Sequence, residues 1–532
     1  MTDIASPSGQ EPALRAIARA DGEPPRALVL GATGYIGGRL VPRLLTAGYR
    51  VRVLARDATR VSTFEWSERV EVVVGAAADS AALAEAVQDV DVLYYLIHSM
   101  SSGKEFEEAD RAAARTVAEA AAATRPRGTE AATDAASEAT ADRGAGGVSR
   151  IVYLGGLHPD DADLSPHLRS RVEVGEILLA SGVPTLVLQA GVVIGSGSAS
   201  FEMVRHLTEV LPYMPAPKWV RNRIQPIAVR DVLYYLLAAA RVAPDVNRAV
   251  DIGGPDVLRY GQMMNGYAVE AGLPQRAIAA LPVLTPRLAS HWVNLVTPIP
   301  RSIARPLVES LQNDCVVKNR DIDAIIPPPE GGLTPYRRAV DLALGRESED
   351  RVETSWLDAE VLGVPSDPLP SDPDWAGRTV FTDARTAHTS ADPARLWAVI
   401  EGIGGVNGWY SQPLLWAIRG WMDKLVGGVG LARGRRSRSR LEVGDALDFW
   451  RVEAIEPGRM LRLRAEMKVP GGAWLELRAS PEGDGSRYDQ RAVFFPRGLS
   501  GRLYWLAVLP FHGFIFRGMA NRITATAEGR GS

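Results

Sequence analysis

At 532 residues the chain exceeds what one ordinary hydrophobic core holds, so two or more domains are expected. Its 46% apolar and 23% charged content fits a soluble globular protein, and 60 basic against 63 acidic residues leave a net charge of −3, which excludes a bulk electrostatic pull toward nucleic acid. The single cysteine, Cys315, excludes an internal disulfide framework and fits a reducing cytoplasm; without a His–Asp pattern around it, it reads as a small buried apolar residue.

Residues 1–26 carry Pro, Ser, Glu and Arg without an apolar core, and so read as a disordered tail and not a signal peptide. The next stretch is Leu28-Val-Leu-Gly-Ala-Thr-Gly-Tyr-Ile-Gly-Gly-Arg-Leu40. A short apolar run over residues 27–30 meets Gly31, Gly34 and Gly37, and a helical pattern then places Ile36, Leu40, Val41, Leu44 and Leu45 on one side. Strand, glycine turn and helix N-terminus together make an anion site, because free backbone N–H groups and the positive helix end face a pyrophosphate that glycine lets approach closely. Gly31, Thr33, Gly34, Tyr35, Ile36 and Gly37 are the expected cradle. Pro42, inside the helix, removes one hydrogen bond and predicts a bend.

Residues 50–57 form the second strand that a βαβ unit requires. An acidic residue at its end would accept the ribose 2′-hydroxyl of NAD, but Arg56 stands there with Asp57 one place later. A guanidinium suits a 2′-phosphate, which favours NADP(H) over NAD(H). A third strand over 70–74 leads to Asp79, a helix cap close to the adenine side. Residues 91–97 are a continuous apolar strand, and Ile97 and His98 fall at its carboxyl edge, where open α/β sheets bind ligands. A helix follows over 106–122. Residues 124–148 lack periodicity and read as a flexible insertion. The fifth strand, 150–154, ends in Gly155-Gly156; a helix over 164–180 and a sixth strand over 184–189 complete an α/β doubly wound parallel sheet of Rossmann type.

The order of motifs resembles the extended and atypical branches of the short-chain dehydrogenase/reductase superfamily. Gly31-Ala-Thr-Gly-Tyr-Ile-Gly37 looks like the extended-type glycine motif, and Arg223-Ile-Gln-Pro-Ile-Ala-Val-Arg-Asp231 like the segment where a strand enters a helix capped by aspartate. Ser290-His-Trp-Val-Asn-Leu-Val-Thr-Pro-Ile-Pro300 is similar to the substrate side of one bacterial group in which a helix-grip domain follows. The resemblance covers about residues 27–365. It implies a Ser on the fifth strand and a Tyr-x-x-x-Lys on the next helix, and there the sequence departs. Gly156 stands in the first place and His167-Leu-Arg-Ser-Arg171 in the second. His167 and Arg171 keep the four-residue spacing that shares a helix face. His167 is the candidate proton donor and Arg171 the candidate ribose holder, against a plain helix start after Pro166 and a solvated arginine. His98, His158 and Asp160 are rival acids, and no His or Cys pair has metal-ligand spacing.

Residues 190–370 read as substrate-side loops and helices, among them 303–312, and residues 366–374 as a Pro- and Asp-rich linker. From Trp375 to residue 528 the pattern changes. A strand over 378–383 and a helix opened by Asp392-Pro393 precede strands over 446–455, 460–467, 473–479 and 488–495, then a long helix over 501–526 in which Pro510 predicts a bend. This order resembles the helix-grip domains of the START and polyketide-cyclase superfamily, which implies an apolar cavity. Trp409, Trp416, Trp421, Trp450, Trp474 and Trp505 suit its wall or a plain core. The basic run Arg433-Gly-Arg-Arg-Ser-Arg-Ser-Arg440 lacks interleaved aromatics and reads as a solvated loop, not a nucleic-acid site. The nearest approach to a bilayer span, residues 503–516, is 14 residues long and interrupted by Pro510 and His512.

Three functions stay open at this point. The first is an NADP(H)-dependent oxidoreductase acting on an apolar carbonyl or enone, the second an NADP(H)-sensing regulator without catalysis. The third is a lipid-binding or peripheral membrane protein whose dinucleotide domain is structural.

Overall fold

The computed structural model describes residues 14–19, 21–97, 104–124, 147–160, 164–281, 297, 299–345, 370, 377, 379–404, 408–409, 440–467 and 469–530. His98, most of the insertion at 124–148, the run 290–296, nearly all of the linker, Trp416, Trp421 and the basic run 433–439 lie outside them. The chain divides into two compact units, Met1–Gly377 and Arg378–Ser532.

In the first unit, strands β1 (Arg26–Leu30), β2 (Arg50–Ala55), β3 (Glu71–Val74), β4 (Val92–Tyr95), β5 (Arg150–Gly156), β6 (Thr185–Ala190) and β7 (Arg248–Ile252) make one parallel sheet in the order β7-β6-β5-β4-β1-β2-β3. The chain reverses direction across the sheet between β1 and β4, which opens a crevice at their carboxyl ends. Both faces are covered. Helices α1 (Tyr35–Ala47) and α2 (Ala58–Val61) come first, and Leu40, Val41 and Leu44 of α1 lie in the core of one face. Helices α3 (Ser80–Ala86), α4 (Lys104–Ala123) and α5 (Pro166–Leu179) send Leu83, Val117 and Leu178 into the other.

Helix α1 runs through Pro42. The missing N–H of Pro42 leaves the Gly38 carbonyl without its helical donor, and Trp66 Nε1 supplies one at 3.2 Å. The disorder expected of residues 1–26 does not extend to 14–19: the Arg19 guanidinium binds Asp91 at 2.7 Å and Asp89 at 2.6 Å, tying the segment to the amino edge of the sheet.

Helices α6 (Ala199–Val210), α7 (Val229–Ala239), α8 (Tyr260–Glu270), α9 (Arg301–Ser310), α10 (Asp321–Ile325) and α11 (Tyr336–Leu344), with three short strand pairs among the described residues, build the remainder of the unit. Asp231 does not cap α7, as the sequence suggested. The cap is Ala228, and the buried Asp231 carboxylate accepts from Thr334 N at 2.8 Å and Thr334 Oγ1 at 3.0 Å, which pins the approach to α11. Glu202 does the same for the end of the unit: its buried carboxylate accepts from the N–H groups of Gly197 and Gly377, both at 3.0 Å, beside Arg205 at 3.3 Å.

The second unit is an antiparallel sheet of β8 (Phe381–Thr389), β9 (Ala446–Leu447), β10 (Trp450–Glu456), β11 (Met460–Ala465), β12 (Gly471–Glu482) and β13 (Gly485–Pro496), ordered β8-β13-β12-β11-β10-β9. Helix α12 (Pro393–Glu401) starts as expected, with the Asp392 carboxylate accepting from Arg395 N at 2.9 Å and Pro393 first in the helix. The strand expected over 446–455 splits at Asp448, whose φ of +53° turns the chain into a hairpin. The first strand lies further on than 378–383, paired with β13 from Phe381. Leu396, Ile400, Leu461, Leu463, Leu475, Leu477 and Tyr488 meet Phe516, Met519 and Ile523 of helix α13 (Gly498–Ala527) in one core. Trp409, Trp450 and Trp505 are buried, as side chains of a packed core are. Helix α13 carries on through Pro510 for 30 residues, close to the 501–526 expected, and Pro510 and His512 do not break it. It is one helix among the described residues long and apolar enough to cross a membrane.

Candidate functional site

The glycine turn sits where β1 ends against β4. Gly31 has φ +87°, and a Cβ there would stand 2.7 Å from the Leu96 carbonyl oxygen. A Cβ on Gly37 would stand 2.2 Å from the Gly31 carbonyl oxygen. Both positions exclude any side chain, and the turn is compressed enough to bring backbone N–H groups to a ligand. Helix α1 begins at Tyr35 with Gly34 as its cap and no side-chain cap bond, so the N-terminal end of the helix, with the Ile36 and Gly37 N–H groups in its first turn, is open to an anion. Thr33 lies in the turn itself.

Tyr35 adds a contact the sequence did not show. A Cβ on Gly195 would be 2.5 Å from its hydroxyl, and Arg39 stacks on its ring at 4.2 Å while donating to the Ser196 carbonyl at 3.3 Å. The cradle is thereby locked to the segment after β6.

At the end of β2, Arg56 is exposed. Asp57 turns away to cap α2, accepting from Thr59 N at 2.8 Å and Thr59 Oγ1 at 2.6 Å, and these bonds hold its carboxyl below the usual carboxylate range. The acid that would select a ribose hydroxyl is occupied, while Arg56 and Arg60 both face solvent. Arg60, in the short helix α2, is a second exposed arginine four residues after Arg56. Asp79 spends Oδ1 on the N–H groups of Ala81 and Ala82, as a helix cap does. Ile97 follows β4, half-buried next to Gly31.

On the other side of the crevice, α5 starts at Pro166 after Ser165, whose hydroxyl caps Leu168 N at 3.3 Å. His167 and Arg171 therefore fall one turn apart. Both line an apolar cavity of about 120 Å³ at the carboxyl ends of β5 and β6, with Gly156, Ala190, Gly191 and Val192. Its far wall comes from Met203, Trp219, Tyr260, Met264, Leu307 and Cys315. No local motif announces these residues; they arrive from five separate segments. Cys315 is buried as expected, and burial pushes its thiol up to about 11.

Two buried donors in this wall, Arg171 Nε and Trp219 Nε1, have no acceptor among the described residues. A Cβ on Gly156 would lie 3.0 Å from Leu168 Cδ2, a tight contact, and 3.5 Å from Arg171 Cδ, an ordinary one. His167 is buried, and burial first, then the charge of Arg171, pushes its pKa down to about 3. An imidazolium proton donor is excluded at neutral pH; a neutral N–H donor remains.

The rival acids are engaged elsewhere. His158 places Nδ1 3.1 Å from the Pro159 carbonyl oxygen and Nε2 3.0 Å from Gln189 Nε2, and Asp160 pairs with Lys318 at 2.7 Å. They line a second, polar cavity of about 290 Å³ that also receives Arg171.

No curated protein matches the chain. Among solved structures, the triphenylmethane reductase of Citrobacter sp. complexed with NADP(H) is 15% identical, over 59% of this chain and 99% of that one, with a TM-score of 0.44. The NADPH-dependent quinone oxidoreductase of Escherichia coli, complexed with NADPH, is 18% identical over 59% and 99% with a TM-score of 0.43. The UDP-glucose 4-epimerase of Thermotoga maritima is 12% identical over 60% and 96% with a TM-score of 0.42. Residues 375–519 match a family described as a protein of unknown function, DUF2867. Residues 31–171, which hold the glycine cradle, Arg56, His167 and Arg171, match the family described as NAD(P)H-binding, so the first unit contains an NAD(P)H-binding domain of Rossmann fold, and the DUF2867 match follows it in the chain.

Proposed function

We propose that the first unit is an NADP(H)-dependent reductase of a small apolar carbonyl or enone. The observation that carries the reading is the placement of His167 and Arg171, with the orphan donors Arg171 Nε and Trp219 Nε1, in an apolar cavity at the carboxyl edge of the sheet that holds the glycine cradle. Buried donors without acceptors are rare in folded proteins unless a ligand completes them, and a carbonyl oxygen is an acceptor of the right kind. When bound, a reduced nicotinamide would supply the hydride that such a reduction needs, with water the source of the proton that completes the alcohol. His167, neutral, donates a hydrogen bond that polarises the carbonyl, and the fixed charge of Arg171 stabilises the negative charge growing on oxygen. Met203 and Met264 shape the apolar wall and tolerate substrates of differing outline. Arg56 and Arg60 hold the 2′-phosphate. In this reading the second unit is of helix-grip type.

Calorimetric titration of the full chain with NADPH and NADH, followed by NADPH oxidation with a panel of apolar quinones and enones, tests the proposal. NADPH binds at least tenfold more tightly than NADH in the expected outcome, Arg56→Ala removes most of the difference, and Arg171→Met lowers turnover about a hundredfold, of the order seen for loss of one oxyanion donor. A sensor without catalysis is the second reading, favoured by Gly156 in the place of a catalytic serine. Tight NADPH binding with no oxidation by any member of the panel would establish it instead.

A further inference from the structure

Helix α13 is apolar on two opposite faces. One carries Trp505, Phe516, Met519, Ala520 and Ile523 into the core of the second unit. On the other, Leu503, Leu506, Leu509 and Phe511 are 56%, 60%, 45% and 56% exposed. Leu503, Leu506, Ala507 and Pro510 recur at three- and four-residue spacing, so they form one stripe, and Leu509 and Phe511 flank it; Ala507 and Pro510 are exposed as well. A helix with only 24% of its most apolar stretch buried is not serving as a core helix alone.

The charges along the helix itself have one sign. From residue 497 to 527 the sequence has four arginines, Arg497, Arg502, Arg517 and Arg522, and no aspartate or glutamate. Arg517 lies two turns beyond Pro510 on the same face, and Arg497 immediately precedes the helix; both are exposed. Neither has a carboxylate partner among the described residues. We propose that the Leu503–Phe511 face of α13 docks on an anionic phospholipid surface, the helix lying in the plane of the interface with its leucines among the acyl chains and Arg497 and Arg517 at the phosphates. An exposed apolar stripe bounded by arginines without acids is the pattern of an interfacial helix. A transmembrane placement is not available to the folded unit, because it would strip Phe516, Met519 and Ile523 from the sheet they pack on. The docking is independent of the cofactor reading, which concerns the other unit.

Co-sedimentation of the full chain with vesicles tests it, using phosphatidylcholine alone and phosphatidylcholine with about a third phosphatidylglycerol. The chain is expected to sediment with the anionic vesicles, less with the neutral ones, and less at high salt. The double substitution Leu506→Glu with Phe511→Glu, at exposed positions, is expected to reduce binding at least tenfold while the melting temperature and the NADPH affinity stay at wild-type values. Arg517→Glu is expected to reduce it about threefold. No sedimentation with anionic vesicles at low salt overturns the proposal, as does undiminished sedimentation of the double variant. A wild-type dimer by light scattering that the double variant turns into monomer also overturns it, since the face then belongs to a second copy.

Discussion

The two ends of one sheet edge in the NAD(P)H-binding unit are built from different material. At β1 the cradle is backbone: Gly31, Gly34 and Gly37 lie within seven residues, and added atoms at the first and last meet a carbonyl oxygen at 2.7 and 2.2 Å. Beyond β5 and β6 the cavity is made of side chains, from Gly156 on a strand to Cys315 in a loop, with two histidine- and arginine-bearing turns of α5 between them. A backbone site needs absent side chains at fixed spacing, and few sequences satisfy that. A side-chain cavity needs apolar bulk and a few donors, which many sequences supply in many ways. The first is rigid and legible; the second is plastic and silent in the sequence.

The largest effect should come from placing an atom in the rigid end. Gly37→Val puts a branched carbon against the Gly31 carbonyl oxygen, a contact that only movement of the turn can relieve. NADPH affinity by calorimetry is expected to fall about a thousandfold, or about 4 kcal/mol. Met264→Ala in the plastic end should leave the same affinity within about threefold, since the residue walls the substrate side. If the two variants weaken NADPH binding alike, the division between cradle and cavity fails.

What the sequence shows follows this division. The glycine turn, the parallel sheet, the capping roles of Asp79 and Asp392 and the burial of Cys315 are all readable, because each follows from local spacing or from one residue's chemistry. Asp231 was misplaced as a cap because its partner, Thr334, lies 103 residues away. The exposed face of α13 was equally hidden. Pro510 and His512 interrupt an apolar count along the chain, yet His512 is buried and Pro510 sits within a continuous helix, so a linear count misses the stripe. Arg39 behind Tyr35, and Trp66 completing the carbonyl freed by Pro42, show the same limit: long-range partners set what a local pattern can mean.

A second effect concerns the charge state of the cavity. His167 has a folded pKa near 3 against about 6.5 unfolded, so below neutrality the unfolded chain takes up a proton that the folded one refuses. Its contribution to stability is complete above pH 6.5 and falls away as the pH drops toward 3, by up to about 1.4 kcal/mol per pH unit. Denaturant melts of wild type and His167→Gln across that range should show a shallower acid limb in the variant. Coincident limbs would mean that His167 charges within the fold, and the neutral-donor role would go with it.

The smallest effect tests whether the cavity's two departures from the resembled pattern are coupled. Gly156→Ser restores the residue that the short-chain dehydrogenase resemblance expects, but its Cβ arrives 3.0 Å from Leu168 Cδ2 and 3.5 Å from Arg171 Cδ. Leu168 must yield by a few tenths of an ångström, at a cost of about 1 kcal/mol in unfolding free energy. Arg171 Cδ at 3.5 Å is already at contact distance, so the serine hydroxyl, one bond further out, meets Arg171, and turnover should fall, not rise. Arg171→Met should soften the same penalty, because the flexible thioether gives way where a guanidinium fixed between two cavities does not. A double-mutant cycle in denaturant melts should therefore show a coupling above about 0.5 kcal/mol. Strict additivity would mean that glycine at 156 and arginine at 171 arose as unrelated changes, and that the space over β5 was never made for the arginine.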